Sequence, residues 1–94
     1  MLAIIIFDKK SPYWSMNGTI NNAFVQDQIS YMYDRVSRRG YMHIKEVYDF
    51  FGTGWDPYNN SNDCLFYDGS IFTFTCSVQR LNDTDYEINI CYQV

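Results

Sequence analysis

From Ile71 to Gln93 the chain alternates apolar and polar residues, and this pattern constrains the fold more than any other feature. Phe72, Phe74, Cys76 and Val78 alternate with Thr73, Thr75, Ser77 and Gln79. After a polar turn, Leu81-Asn82-Asp83-Thr84-Asp85, the alternation resumes, with Tyr86, Ile88, Ile90 and Tyr92 set against Glu87, Asn89, Cys91 and Gln93. Side chains of a strand point to its two faces in turn, so both arms predict one buried face and one wet face. Such a sheet needs a cover on one side only.

The cover is legible upstream. Val25, Ile29, Met32 and Val36 recur at intervals of four, three and four, which predicts a helix from about Asn22 to Arg39. Asn21 or Asn22 is the expected cap, Arg38 and Arg39 suit the negative pole, and Gly40 supplies a left-handed stop. A second helix follows, with Ile44, Val47, Tyr48 and Phe51 on one face and Lys45, Glu46 and Asp49 on the other. Gly52 and Gly54 end it. Residues 22–52 therefore read as a helical hairpin with a tight link, Gly40-Tyr41-Met42-His43.

Two further segments complete the sheet. Leu2 to Phe7 is an unbroken apolar run, the pattern of a strand covered on both faces. Cys64–Tyr67 and Ile71–Arg80 flank an Asp68-Gly69 turn, a hairpin signal. The expectation is a single α+β domain over residues 1–94, in the order β-α-α-β-β-β. Its helical hairpin packs on a mainly antiparallel sheet built from Leu2–Phe7 and the three C-terminal segments. The expected core is Ile4, Ile6, Val25, Ile29, Met32, Val36, Ile44, Val47, Phe51, Phe72, Phe74, Val78, Ile88 and Ile90.

Ninety-four residues allow one compact core and no second domain. Seven Phe, nine Tyr and two Trp supply enough buried area to manage without disulfides or metal. The Tyr excess also provides rings for an interface, where a polar tip and few rotors suit binding. Cys64, Cys76 and Cys91 are an odd number without CxxC spacing, which argues against a disulfide framework. With His43 the only histidine, no zinc site is expected. The start lacks the basic leader and cleavage site of a signal peptide, and no stretch is long enough to span a membrane. These features point to a reducing cytoplasm.

Chemistry-bearing patterns are few. Cys76 falls on the apolar side of its strand and reads as a packed thiol, whereas Cys91 falls on the polar side. A Cys–His pair with His43 requires a tertiary contact; His43 otherwise stands where the second helix would be capped. Asp56, Asn59, Asn60, Asn62 and Asp63 lack the spacing and central glycine of a calcium loop. Gly52-Thr53-Gly54 follows a helix where a phosphate-binding loop precedes one. No catalytic residue, metal or cofactor is expected. Arg35, Arg38, Arg39 and Lys45 gather around the helical link and invite a helix-turn-helix reading. The second helix, however, shows Glu46 and Asp49 outward, where base edges and phosphates need donors.

Eleven acids against seven bases give a net charge of −4. Such a surface repels phosphate backbones and attracts basic proteins, including those that bind nucleic acid. The expected partner-binding residues are the loop acids Asp56, Asp63, Asp68, Asp83 and Asp85, anchored by Tyr58 and Trp14. Trp55 reads as either core or anchor.

The segment Arg39-Gly40-Tyr41-Met42-His43-Ile44-Lys45-Glu46-Val47-Tyr48-Asp49-Phe50-Phe51-Gly52, followed by Gly54-Trp55, resembles a pattern in small phage and prophage accessory proteins. In that pattern a helix, a Gly-Tyr/Phe link and a short Val-Tyr-Asp helix lead to Gly-Trp and a hairpin with an Asp-Gly turn. The match covers about residues 25–75, and departs at His43, where Ser or Thr is usual, and in the Asn-rich stretch after Trp55. The resemblance carries no catalytic residues. It implies an accessory product of the infected or lysogenic bacterial cytoplasm, of the kind that includes anti-CRISPR and other defence inhibitors. The expected function is stoichiometric binding and inhibition of a host protein, without direct contact to nucleic acid or membrane. The alternatives are a helix-turn-helix-like DNA-binding regulator and a small cysteine-dependent enzyme.

Overall fold

The computed structural model describes residues 1–54 and 63–93. In chain order the elements are β1 (Leu2–Phe7), α1 (Gly18–Arg39), β2 (Tyr41–His43), α2 (Ile44–Phe51), β3 (Cys64–Phe66), β4 (Phe74–Arg80) and β5 (Tyr86–Tyr92). The α+β class and the strand–helix–helix–strand order are as the sequence predicts. β5 is the centre of a three-stranded antiparallel sheet, ordered β1-β5-β4. Its alternation holds, with Tyr86, Ile88, Ile90 and Tyr92 all buried.

β1 runs against β5 with Ala3 opposite Ile90, Ile5 opposite Ile88 and Phe7 opposite Tyr86. These three side chains are buried, whereas Ile4 and Ile6, assigned to the core from sequence, are 44% and 39% exposed. The reason is that β1 is an edge strand covered on one face only, not on two. Phe7 selects the phase: its ring stacks on Phe24 at 5.1 Å and meets Phe51 edge-on at 6.4 Å. Ile29, Phe72 and Val78, also assigned to the core, pack against it from its margin and are only partly buried.

α1 begins four residues earlier than the apolar stripe suggests. Asn17, not Asn21 or Asn22, is the cap, and its side chain accepts from the amides of Thr19 and Ile20. Gly18 occupies the first helical position because the Asp83 carbonyl lies against it; a Cβ there would run into that oxygen. Alanine would otherwise favour the helix by about 1 kcal/mol over glycine. We expect Gly18→Ala to destabilise nonetheless, by about 1–3 kcal/mol of overpacking. Gly54→Ala, with no described residue within 4 Å of the added carbon, should be near neutral, and urea unfolding midpoints compare the two.

The helical link is also more than a turn. Gly40 is left-handed, with φ 85°, as expected of the stop. Tyr41–His43 then forms β2, which pairs antiparallel with β3 in a separate two-stranded sheet. β3 therefore does not join the main sheet, contrary to the sequence expectation. A bridge from Tyr67 to Phe72 closes the Asp68-Gly69 turn, and β4 starts only at Phe74. Among the described residues, no helix is long and apolar enough to cross a membrane.

Candidate interaction surface

The loop acids divide by what they hold. Asp85 is tied into its own turn: its carboxylate accepts from the Trp14 indole at 3.0 Å, the Asn82 amide at 3.0 Å and the Thr84 hydroxyl at 3.0 Å. The Asn82 amide, with Trp14 and Thr84, holds the Asp85 carboxyl below the usual carboxylate range. Trp14 is half-buried and its polar tip is satisfied by Asp85, so both residues are fastened inside the molecule. Asp63 accepts the Tyr92 phenol at 2.6 Å, and its backbone carbonyl accepts the Ile44 amide. Asp68 builds its turn through Oδ1, which accepts from Ser70 and Ile71; those amides hold its carboxyl low. Asp83 is fully exposed and meets Arg80 at 3.1 Å. Asp56 and Tyr58, with Trp55, lie outside the described residues.

The acids do not form one patch. Asp83 and Asp85 precede β5 and Asp63 binds Tyr92 at its other end. Seven strand residues separate them, about 20 Å at roughly 3.3 Å per residue. Among the described loop acids, Asp68 and Asp83 are the two whose carboxylates remain turned to solvent.

Tyr92 also gives a pH dependence. Burial, then the Asp63 carboxylate, pushes its phenol up to about 12 from an ordinary 10.0. The folded state thus keeps a proton that the unfolded chain releases. The resulting stabilisation is complete below about pH 10 and is lost as pH rises through about 12. Tyr92→Phe should flatten the fall in stability between about pH 9 and pH 12 in urea titrations.

The basic cluster around the link proves to be internally compensated. Arg39 meets Glu46 at 3.0 Å and lies over the Tyr41 ring at 4.6 Å. Arg35 reaches the same carboxylate at 3.9 Å and donates to the Tyr31 hydroxyl at 2.7 Å. Burial opposes ionisation of Glu46, but the His43 amide and Arg39 outweigh it, and its carboxyl titrates low. Arg38 pairs with Asp34 at 3.1 Å. The sequence places Glu46 outward beside these arginines but does not show that it pairs with them; its third position in α2 brings it back over the His43 amide.

One contact that the sequence left to tertiary structure is present. His43 caps α2, and its Nδ1 lies 3.2 Å from the Cys64 sulfur across the β2–β3 pair. Burial, with Asp63 and Glu46 nearby, pushes the Cys64 thiol up, so the site does not favour a thiolate. Burial pushes the half-buried Cys76 thiol up to about 11, and Cys91 is exposed, as the alternation predicts. Among the described residues, no group of three or more His, Cys, Asp or Glu is placed to hold a metal. No protein family, curated protein or solved structure matches this chain.

Proposed function

We propose that the chain is a phage-type accessory protein that binds and inhibits a host defence protein one to one, without catalysis. The observation that carries this reading is the pairing of all four arginines with carboxylates of the chain itself: Arg35 and Arg39 with Glu46, Arg38 with Asp34, Arg80 with Asp83. With its arginines neutralised in this way, a chain of net charge −4 presents carboxylate outward, which suits the basic channel of a nucleic-acid-processing protein. The same pairing weighs against the DNA-binding regulator, which needs those guanidinium groups for phosphate. Asp68 and Asp83 are the proposed contacts, together with Asp56 and Tyr58 as read from the sequence. Asp63, Asp85 and Trp14 support them from within. The setting is the cytoplasm of an infected or lysogenic bacterium.

The test is retention of host proteins on the immobilised chain, followed by titration of what is retained. The free protein should not retard duplex DNA, and inhibition should reach completion near one equivalent. Charge reversal of Asp68 and Asp83 together should slow association about tenfold at low salt and flatten its salt dependence. Reversal of Arg38 should do little. Loss of binding in the Arg38 variant but not in the aspartate variant would sink the acidic reading.

A second reading rests on the His43–Cys64 contact, which is the arrangement a cysteine-dependent enzyme requires. Full effect at trace ratios to the target, abolished by Cys64→Ser with the fold intact, would favour it.

A further inference from the structure

We propose that the outer edge of β4, with the groove beside α1, takes up an extended peptide strand from a protein partner, adding a fourth strand to the sheet. The phase of the hydrogen bonds sets up this edge. Met1 and Tyr92 exchange both backbone bonds, at 2.8 and 2.9 Å, so the even-numbered residues of β5 bond β1 and its odd-numbered residues bond β4. The Leu81 amide donating to Asp85 follows the same phase. Thr75, Ser77 and Gln79 therefore face β5, while Phe74, Cys76, Val78 and Arg80 turn amide and carbonyl away from it.

At one end this edge is covered by α1. The Tyr33 ring stacks on Phe74 at 4.9 Å, and its phenol meets the Cys76 amide. At Val78 and Arg80 no described residue hydrogen-bonds the backbone, and the edge borders a groove of about 610 Å³. Thr19, Asn22 and Gln26, on successive turns of α1, form its far wall, and Val78 and Tyr86 lie within it. Unpaired strand groups beside a helix-walled groove are the requirement for strand addition. Backbone pairing at Val78 and Arg80 supplies the register. Alternate side chains of the incoming strand then enter the groove, apolar against Val78 and Tyr86, between the amides of Asn22 and Gln26.

Charge selects the end of the strand. Arg80 sits at the mouth, 60% exposed, its Nε donating to the Asn82 carbonyl at 2.9 Å and its guanidinium paired with the exposed Asp83 carboxylate at 3.1 Å. The pair with Asp83 is solvent-exposed and contributes little, so a peptide carboxylate at this position shares the guanidinium with Asp83. The partner segment is thus a short extended peptide, apolar and small in alternation, with a carboxylate beside Arg80. This site goes beyond the acidic-loop reading and shares only Asp83 with it.

The probe is a panel of hexapeptides alternating Thr and Val and ending in Asp, Glu or Lys, added to the isotope-labelled full chain. The acidic peptides should slow hydrogen exchange of the Val78 and Arg80 amides by about tenfold or more. Methylating alternate backbone nitrogens of the peptide should abolish this protection, and the Lys-ended peptide should bind about fivefold more weakly. Val78→Pro removes the outward amide and should lose the peptide, since proline is tolerated on an edge facing solvent. Should that variant unfold, Gln26→Trp, at an exposed helix position, fills the groove and should lose binding equally. The proposal is overturned if no peptide of the panel protects these amides at millimolar concentration, or if the methylated peptide binds as well. Protection that rises with protein concentration alone would overturn it in favour of a second copy of the chain. Reversal of Asp68 alone should leave the peptide site intact, which separates its failure from that of the acidic reading.

Discussion

Phe74→Ala should destabilise the protein by about 3–5 kcal/mol, the range for truncating a buried aromatic ring. The ring is 4% exposed, stacks on Tyr33 at 4.9 Å and meets Phe72 edge-on at 5.4 Å. Tyr33 comes from α1 and Phe72 from the turn preceding β4, so one ring joins the helix layer to the start of the sheet. Domains of this size are stable by only about 5–15 kcal/mol, so the variant loses about a fifth of its stability or more. Thr75, the next residue, is exposed on the open face, and Thr75→Ala should stay within about 0.5 kcal/mol of the parent. Urea unfolding of the pair checks the phase of β4. If Phe74→Ala unfolds with the midpoint of Thr75→Ala, the burial assigned to β4 is wrong.

How much of this could be read beforehand depends on whether a segment carries its own phase. In β4 and β5 the polar residues mark the wet face, so Phe74, Ile88 and Ile90 were assigned to the core correctly. Leu2–Phe7 has no polar residue and hence no internal phase. Its register comes from outside, from Ile88 and Ile90 on β5 and from the space that Phe7 fills between Phe24 and Phe51. β2 has only three residues and gains its identity from Cys64–Phe66, twenty residues downstream, a pairing that local pattern does not carry. The start of α1 was displaced for a related reason. Gly18 and Thr19 look like turn residues, and only the Asp83 carbonyl explains a glycine inside a helix.

The candidate site was legible as residue types and not as roles. Aspartate in a loop offers a charge to a partner, but also builds Asx turns by accepting nearby backbone amides. Asp68 does the second while keeping an outward carboxylate, and Asp85 is almost wholly occupied by Trp14, Asn82 and Thr84. Sequence proximity likewise grouped Arg35, Arg38 and Arg39 as one basic patch. The carboxylates that divide them come from two helices, Asp34 on α1 and Glu46 on α2.

Asn21→Ala should cost about 2–4 kcal/mol, because one buried side chain there satisfies three backbone groups. Asn21 is 0% exposed. Its Oδ1 accepts from the Ser15 amide at 2.8 Å, and its Nδ2 donates to the carbonyls of Ser15 at 2.7 Å and Thr84 at 2.9 Å. The residue thereby joins α1 to the segment before it and to the loop that carries Asp83 and Asp85. Alanine strands all three groups and opens a cavity, two costs that a single variant cannot separate. Asn21→Asp keeps the volume and the acceptor for Ser15, but turns a carboxylate oxygen toward two carbonyls that need a donor. It should therefore destabilise by at least as much as alanine near neutral pH. If Asn21→Asp is as stable as the parent, the hydrogen-bond account fails and packing alone holds this corner. Hydrogen exchange at the Ser15 and Asp85 amides provides the companion measurement. The Asp85 amide should accelerate in either variant, because the Asn82 turn that positions Asp83 rests on the Thr84 carbonyl, whereas the Ser15 amide should accelerate in the alanine variant, which alone removes its acceptor. Loosening of that turn should in turn weaken partner binding more than Thr75→Ala does, which connects this buried amide to the acidic contact it supports.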